Sequence, residues 1–399
     1  MLEGIKVIDC ASFIAGPAST TIMADFGADV IKIESPGRGD PYRNSVSAGP
    51  TDGDLPAQWT LDNRNKKGLA LDLKTPEGLD VLYRMVEQAD VFVTNMPFPV
   101  RKRLRIQYED LAPLNERLIY GSLSAYGEAG PDADRAGFDS TALWARTGLM
   151  DLVKPSPESA PARSLPGMGD HPTATALFAA IMSAMYQREK TGKGAQVSTS
   201  LLANGVWWNG LYTQSVLCGG DVQCRPPREE SDDALNNLYR TRDDRWIHLN
   251  LIHQPHRWAD FAALTGDESL ANDARFEAPD SRREHRRLLI LALDKVFAQR
   301  DFADWRAILS ENNLVFGQVS KTEDLFDDPQ MQASGAIKPL HAPNSGATLT
   351  VDSPLWVHGV EKRPAGPAPH LGEHTEEVLR DHGYDSDAIQ KLRGAGAIP

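Results

Sequence analysis

Ile5-Lys6-Val7-Ile8 and Asp29-Val30-Ile31-Lys32-Ile33 are apolar runs on either side of a stretch, Ala18 to Asp25, that has the spacing of a helix. Gly27 marks the end of this helix, as glycine often does. The alternation returns along the chain, with a helix at 76–87 and strands at 91–94 and 118–123. Because strands that alternate with helices build βαβ units, the sequence predicts an α/β fold. We expect a large Rossmann-like domain with a mostly parallel sheet.

The character of the sequence changes after a predicted helix at 201–212. A polar linker that contains prolines, 225–233, precedes a predicted hairpin and several helical stretches. The hairpin strands are predicted at 238–241 and 246–250, and the helices at 258–264, 286–298 and 302–311. We therefore expect residues 1–224 to form the N-terminal part of the large domain, 225–325 a smaller α+β domain, and 326–399 a C-terminal segment.

The composition excludes several classes of protein. The 399 residues carry a formal net charge of −13, which argues against a nucleic-acid partner because such a partner requires a basic face. The longest apolar stretch, 174–186, is shorter than the about 20 residues that cross a bilayer, and the N-terminal residues lack the pattern of a signal peptide. Cys10, Cys218 and Cys224 have no metal-ligand spacing and suit a reducing compartment. We expect a cytoplasmic protein with no membrane partner and no metal site.

The motif Gly167-Met168-Gly169-Asp170 directly precedes a predicted helix whose apolar residues run from Ala174 to Met185. An aspartate at this position has two interpretations. It is either a simple N-cap, or a carboxylate that the helix dipole keeps ionised and that attacks a carbonyl group. The flanking glycines would let backbone N–H groups approach an oxyanion closely.

Around this aspartate the chain carries a series of motifs in a fixed order. With them it resembles the class III coenzyme A (CoA) transferases, which include formyl-CoA transferase and carnitine CoA-transferase and are related to the α-methylacyl-CoA racemases. The motifs are Leu2-Glu3-Gly4-Ile5-Lys6-Val7-Ile8-Asp9, Ala15-Gly16-Pro17, Asp25-Phe26-Gly27-Ala28-Asp29-Val30-Ile31-Lys32-Ile33-Glu34, Gly39-Asp40-Pro41, Asn65-Lys66-Lys67, Leu71-Asp72-Leu73-Lys74, Lys190-Thr191-Gly192-Lys193-Gly194 and Leu371-Gly372-Glu373-His374-Thr375.

The resemblance implies an enzyme that transfers CoA between carboxylic acids. In the family, one aspartate forms a mixed anhydride and then an aspartyl-CoA thioester, and Asp170 occupies that position. Asp139 matches an acidic residue near the nucleophile; it either positions a neighbouring group or water, or only caps a predicted helix at 140–150. The resemblance also implies that the C-terminal segment rejoins the large domain, and that the partner is a second copy in a homodimer whose subunits interlock like linked rings.

The resemblance further implies that the substrates are an acyl-CoA donor and a carboxylic acid acceptor, and that the enzyme has no prosthetic group. It also implies which residues contact CoA. These residues are Phe13, Leu71, Lys74, Asn95, Met96 and Arg103. From the sequence alone, Arg101-Lys102-Arg103 is a basic cluster that suits an anionic ligand, although an exposed helix face explains such a run equally well. The chain has no Gly-x-Gly-x-x-Gly motif after its first strand and no P-loop.

Two other functions remain open on the sequence. A 2-methylacyl-CoA racemase needs two acid–base groups, and its family places a histidine directly before the acidic residue, where this chain has Phe138. A CoA-ester-binding subunit without catalytic activity would bind without forming an adduct. Phe13, Ile14, Phe138, Trp144 and Ala174 favour a large or aromatic acyl group. Lys66 and Lys67 are expected at the surface, and Trp207 and Trp208 in the core.

Overall fold

A sheet of six strands is the framework of the first of two units into which the chain divides. This first unit comprises residues 1–150, 163–222 and 330–399, and the second comprises 151–162 and 223–329. The computed structural model describes residues 1–45, 54–253, 255–343 and 346–399. Its strands, β1 to β11 in chain order, are Lys6–Asp9, Asp29–Glu34, Lys67–Ala70, Val91–Thr94, Ile119–Ser124, Ala195–Ser200, Asn236–Arg240, Trp246–Asn250, Phe316–Val319, Ile337–Pro339 and Leu349–Val351.

The strand order of the large sheet is β3-β2-β1-β4-β5-β6, and every neighbouring pair is parallel. Val7 of β1 is paired with Val30 of β2 on one side and with Val91 of β4 on the other. The prediction of an α/β fold with a mostly parallel sheet is confirmed. The strand order reverses between β1 and β4, and in sheets of this kind ligands bind outside the carboxyl ends of the strands at that point.

Eighteen helices accompany the strands of the described residues. These helices, α1 to α18 in chain order, are Ala15–Asp25, Ala57–Asn63, Pro76–Val86, Phe98–Leu104, Tyr108–Leu111, Leu149–Leu152, Asp170–Thr191, Leu201–Trp208, Gly210–Leu217, Trp258–Thr265, Glu268–Ala271, Ala274–Glu277, Pro279–Glu284, Arg286–Phe297, Phe302–Glu311, Pro329–Ala333, Thr375–Asp381 and Ser386–Gly394. A π-helical segment, Asp139–Ala145, lies where the sequence predicts an α-helix over 140–150.

Two apolar cores cover the two faces of the sheet in the first unit, because successive residues of each strand point to opposite faces. Val7 belongs to the core formed with α1 and α7, whereas Ile8 belongs to the core formed with α3, α17 and α18. Burial of one aliphatic side chain of this size contributes about 1.5–3 kcal/mol. These cores fix the ends of the strands, and with them the loops that carry the site.

The second unit contains an antiparallel sheet of order β7-β8-β9. Its core joins Ile247 and Leu249 of β8 to the helices α10, α14 and α15, through residues such as Phe261, Phe297 and Trp305. The predicted hairpin is present as β7 and β8, which pair in the register Tyr239 with Ile247.

The predicted helix at 201–212 is divided into α8 and α9 at Asn209, whose side chain donates to the carbonyl oxygen of Thr147 over 2.9 Å. The prediction that Trp207 and Trp208 lie in the core is wrong, since these residues are 82% and 40% exposed. The reason is that α8 packs through Gly205, where a Cβ would lie 2.7 Å from the Leu143 carbonyl oxygen. The tryptophans lie on other faces of the helix.

Candidate active site

A cavity of about 880 Å³ opens in the first unit at the carboxyl ends of β1, β4 and β5. This is the edge at which the reversal of strand order predicts a ligand site. The cavity is lined by the segments that follow the three strands, at 12–15, 95–98 and 123–125, and by the segments 133–140 and 165–171, with contributions from residues 41, 42, 45, 58, 61, 101 and 201.

Asp170 lies in the wall of this cavity as the first residue of α7. The N-cap position belongs to Gly169, which makes no side-chain capping bond, so the interpretation of Asp170 as a simple N-cap is wrong. Gly167 has φ +89°, in the region that favours glycine, and a Cβ on Gly169 would lie 2.9 Å from Leu143 Cδ1. Glycines at both positions allow the chain to turn sharply before the aspartate.

Asp139 holds this turn in place. Its Oδ2 accepts hydrogen bonds from the backbone N–H groups of Gly167 and Gly169, over 2.9 and 3.1 Å. Its Oδ1 accepts from Ser140 N over 2.7 Å, and the side chain is buried. A carboxylate that accepts several backbone hydrogen bonds is a strong anchor. Asp139 therefore positions the backbone immediately before Asp170, and it also lines the cavity.

Burial and the nearby Asp139 carboxylate raise the pKa of Asp170 to about 7, with a further contribution from Asp62, while His171 acts in the opposite direction. The sequence predicted that the helix dipole would favour the ionised form. Partial burial together with two neighbouring acids outweighs that effect. The neutral acid form of Asp170 is therefore more favourable than that of an exposed aspartate.

His171 follows Asp170 and contacts an acid that is distant in the sequence. Its Nε2 lies 2.9 Å from Asp62 Oδ1, and the hydroxyl of Tyr42 donates to Asp62 Oδ2 over 3.0 Å. Burial lowers the pKa of His171, but the hydrogen bond to Asp62 and the charges of Asp62 and Asp170 outweigh it and raise the pKa above its ordinary value. The pairing of these two residues could not be predicted from the sequence, because 109 residues separate them.

Phe13 has a left-handed backbone, with φ +63°, at a cost of roughly 1–2 kcal/mol for a residue with a side chain. Its N–H donates to Asp40 Oδ1 over 3.1 Å. The adjacent Ser12 exchanges two hydrogen bonds with the side chain of Asn95, at 2.8 and 2.7 Å. These contacts hold the Phe13 ring against Phe138, edge to face, with the ring centroids 5.5 Å apart.

A network of buried charges lies behind this loop. Lys32 Nζ contacts the carbonyl oxygen of Ala11 and lies 3.0 Å from Asp40 Oδ2. Lys66 donates to Asp9 Oδ2 over 2.9 Å and is only 4% exposed, so the prediction that Lys66 lies at the surface is wrong. Burial lowers the pKa of Lys66 to about 8 despite this carboxylate. The sequence does not distinguish Lys66, which is buried and joins several elements, from Lys67, which is partly exposed.

The basic cluster on α4 divides between burial and exposure. Arg101 is buried and lines the cavity, where its guanidinium donates to the carbonyl oxygens of Met96 and Leu123 and lies over the Phe98 ring. Arg103 is exposed on the same helix and does not line the cavity. The family resemblance favours Arg103 over Arg101, whereas burial within the run cannot be assigned from the sequence.

The sequence-predicted CoA-contact residues separate into two groups. Phe13, Asn95 and Met96 line the cavity, together with Asp139 and Asp170. Leu71 and Lys74 follow the carboxyl end of β3 instead, outside the lining; Leu71 is buried in the core and Lys74 is exposed. Of the residues that favour a large acyl group, Phe13, Ile14 and Phe138 line the cavity, whereas Trp144 and Ala174 do not.

Among the residues that the structure describes, no group of three or more His, Cys, Asp or Glu side chains has the geometry to hold a metal ion. No helix in the described ranges has the length and apolar composition needed to cross a bilayer. The cavity combines an acid of raised pKa, a glycine turn with fixed backbone N–H groups, and apolar walls. This arrangement suits covalent catalysis by a carboxylate on an acyl group.

Comparison of the sequence with models of protein families identifies the class of enzyme to which this fold and cavity belong. The model of CoA-transferase family III matches residues 2–375, and the chain belongs to this family. It is therefore a CoA-transferase, an enzyme whose substrates are CoA thioesters and carboxylates.

Two characterised relatives align along almost the whole chain. The (R)-2-hydroxy-4-methylpentanoate CoA-transferase of Clostridioides difficile is 32% identical and the alignment covers 100% of this chain and 99% of that protein. The cinnamoyl-CoA:phenyllactate CoA-transferase of Clostridium sporogenes is 29% identical, with 98% and 96% covered. The crystal structure of a CAIB/BAIF family protein from Brucella suis is similar with a TM-score of 0.85 at 27% identity, over 95% of this chain and 98% of that chain.

Proposed function

We propose that this enzyme transfers CoA from an acyl-CoA donor to a carboxylic acid through covalent intermediates on Asp170. The observation that carries this proposal is the position of Asp170, in the wall of the cavity and next to the turn that Asp139 holds. A carboxylate there would meet a thioester carbonyl in the cavity, while the N–H groups of Gly167 and Gly169 stay bonded to Asp139 and hold the turn.

The reaction needs no net transfer of a proton. The Asp170 carboxylate attacks the thioester carbonyl, the C–S bond breaks, and CoA leaves as a thiolate, so that a mixed anhydride forms. The thiolate then attacks the aspartyl carbonyl carbon and expels the donor carboxylate, which leaves an aspartyl-CoA thioester. The acceptor carboxylate attacks the carbonyl carbon of this thioester, the C–S bond breaks, and CoA leaves again as a thiolate, so that a second anhydride forms. Attack by the thiolate on the acceptor's acyl carbon finally releases acyl-CoA and Asp170. Only the ionised form of Asp170 can begin this cycle.

CoA would enter along the carboxyl edge of the sheet. Phe13 and Met96 would contact it inside the cavity, while Asn95 would act chiefly by holding the loop that carries Phe13, because both ends of its amide are bonded to Ser12. Lys74 and Arg103 are exposed cations that would meet the phosphates, with Leu71 beside the nucleotide. An extended CoA molecule would have to leave the cavity to reach them.

The acyl group is proposed to be apolar, either branched or aromatic. Phe13, Ile14, Phe138, Leu165 and Met168 line the cavity near Asp170, and both phenylalanine rings are substantially exposed to it. The name of one of the two relatives contains a branched hydroxy acid and that of the other contains aromatic acids, but the choice rests on the apolar lining. A small dicarboxylate would leave these apolar walls in contact with water.

The working unit is proposed to be a homodimer, with the interlocked arrangement that the family resemblance implies. Its location is proposed to be the cytoplasm. The three cysteines, Cys10, Cys218 and Cys224, are all unpaired in the structure, which suits a reducing compartment.

The test is intact-protein mass spectrometry after incubation with a panel of acyl-CoA thioesters, followed by trapping with hydroxylamine and peptide mapping. The proposal expects an adduct on Asp170, formed fastest with cinnamoyl-CoA or a branched acyl-CoA and slowest with succinyl-CoA. Asp170→Asn should form no adduct and lose transfer activity while it still binds CoA. Asp387→Asn is the matched control, because Asp387 is also in the first turn of a helix but is exposed.

An adduct that maps to another residue, or transfer that survives in Asp170→Asn, would overturn the assignment. Exchange of the substrate α-proton with solvent deuterium and no adduct would favour the racemase, and thioester binding with neither reaction would favour the binding subunit.

A further inference from the structure

The transfer cycle proposed above leaves three polar side chains of the cavity region without a role. These are Tyr42, Asp62 and His171, which form one chain of hydrogen bonds: the Tyr42 hydroxyl to Asp62 Oδ2 over 3.0 Å, and Asp62 Oδ1 to His171 Nε2 over 2.9 Å. Tyr42 and His171 line the cavity, and Asp62 is 1% exposed. Burial of the Asp62 carboxylate carries a substantial desolvation cost. Its hydrogen bonds to Tyr42 and His171 therefore require an explanation.

The geometry of this chain suits a protonated ring. The Tyr42 hydroxyl donates to one oxygen of Asp62, and an ionised carboxylate accepts at both oxygens, so its other oxygen is an acceptor for an N–H group at His171 Nε2. The backbone of Gly167 faces the ring of His171 and also favours its protonated form. The ring therefore has a buried carboxylate at Nε2, which favours its protonated form.

The imidazolium lies next to the nucleophile in the chain. Asp170 is influenced by two anions, Asp139 and Asp62, and by one cation, His171. We propose that the Tyr42–Asp62–His171 chain is a positioning device that keeps a cationic ring beside Asp170, so that the nucleophile is ionised when the thioester binds. This inference depends on the proposed role of Asp170 as the nucleophile. His171 acts through Asp170 and is a positioning residue.

The electrostatic balance supports this assignment. Burial and Asp139 raise the pKa of Asp170 to about 7, and His171 is the influence that lowers it. Removal of the cation must therefore raise the pKa of Asp170 further, and the carboxylate fraction below that pKa must fall. In contrast, a residue that only supports the fold would change the rate equally at every pH.

The first experiment measures the rate of adduct formation on Asp170 in a single turnover, as a function of pH, for the wild type and for His171→Gln. We expect the acid limb of the profile to move up by about one unit, since a neighbouring opposite charge shifts a carboxyl by about 1–3 units. The variant should react about tenfold more slowly at acidic pH, because one unit is a factor of ten. Its rate should approach the wild-type rate at alkaline pH. His248→Gln is the control, because its ring likewise bonds to one side chain, Asn236, over 3.0 Å.

Asp62→Asn gives a test of sign. Removal of the Asp62 charge alone would lower the pKa of Asp170 and move the acid limb down. If Asp62 holds His171 in its cationic form, the pKa of the ring falls in this variant, the cation is lost at lower pH and the acid limb moves up, because His171 influences Asp170 more strongly than Asp62 does. This variant remains informative even if His171→Gln does not fold.

The outcomes separate the two proposals. An adduct on Asp170 whose pH profile is unchanged in His171→Gln, or an acid limb that moves down in Asp62→Asn, overturns the role of the hydrogen-bonded chain and leaves the nucleophile in place. The absence of any adduct on Asp170 in the wild type overturns both proposals.

Discussion

Asp139 has two opposing effects on Asp170. Its hydrogen bonds to Gly167 N and Gly169 N fix the turn that presents the nucleophile. Its negative charge is at the same time the largest single influence, after burial, that raises the pKa of Asp170. The structure therefore gives one side chain both a geometric benefit and an electrostatic cost, and substitution should separate them.

Asp139→Asn should lower the rate at its plateau and move the acid limb of the pH profile to lower pH. The plateau falls because an amide cannot serve all the backbone donors that the carboxylate accepts, and a hydrogen bond to a charged group is worth about 1.5–3 kcal/mol. The acid limb moves down because the pKa of Asp170 falls when a like charge is removed. The pH dependence of kcat/KM checks both, with Asp132→Asn as the control. An acid limb at its wild-type position would contradict the electrostatic part.

At this scale the sequence predicts the acids but not their environment. Asp170 is recognisable because it follows the Gly167-Met168-Gly169 motif, and Asp139 because it matches an acidic residue of the family. The pairing of His171 with Asp62 could not be predicted, since no local pattern connects residues so far apart. The direction in which the pKa of Asp170 shifts was also wrong, because burial depends on tertiary packing rather than on the helix that follows.

Lys66 joins several elements of the first unit. Its ammonium group donates to Asp9 of β1, to the carbonyl oxygen of Pro17 in α1, and to the carbonyl oxygen of Asp62 and Asn63 Oδ1 in α2, all between 2.8 and 3.0 Å. The three N–H donors of the ammonium group thus lie among four buried acceptors, and all of its donor capacity is used. The lysine connects the first strand to the two helices whose ends surround the cavity.

Lys66→Met should destabilise the protein by about 3–5 kcal/mol, because removal of one partner leaves Asp9 and two carbonyl groups buried without it. The matched control is Lys67→Met. Lys67 is the next residue and its ion pairs with Glu377 and Asp381, at 3.0 and 3.3 Å, are exposed, so its loss should cost less than about 1 kcal/mol. Urea unfolding followed by circular dichroism measures both changes in the free energy of unfolding. Equal changes in the free energy of unfolding for the two variants would show that Lys66 does not stabilise the protein by joining these elements.

The elements themselves were largely predictable from the sequence. The strand at 91–94 and the helix at 302–311 have the predicted bounds, and the strands at 5–8, 29–33 and 118–123 differ by a residue at one or both ends. The strands β3 and β6 of the large sheet were not predicted. Apolar periodicity carries this information because it reflects burial on one face of an element. It fails for α8, where a close contact between Gly205 and the Leu143 backbone, rather than the large apolar side chains, determines which face is buried.

For the molecule as a whole, the most prominent consequence of that packing is an apolar surface on α8 and α9. Its exposed side chains include Trp207, Leu211 and Leu217, which are 82%, 77% and 75% exposed. Apolar patches of this kind mark interaction sites. The same helix reaches the candidate site, because Gly205 packs on Leu143, and Leu143 lies close to Gly169 in the turn before Asp170. A partner that covers this surface would therefore contact a helix that packs, through Leu143, on the turn that positions the nucleophile.

We expect a second copy of the chain to cover this surface in the proposed homodimer. Light scattering after size-exclusion chromatography should give twice the chain mass of 43.7 kDa. Leu211→Asp should shift the protein towards the mass of one chain, because a buried carboxylate without a partner is strongly unfavourable in an apolar interface. Leu291→Asp is the control: Leu291 is 57% exposed on α14, in the second unit, and its substitution should leave the mass unchanged. A wild-type protein of one chain mass, or a dimer that Leu211→Asp does not weaken, would show that α8 and α9 do not form the dimer interface. In that case the tryptophan-bearing face would have to interact with a different partner.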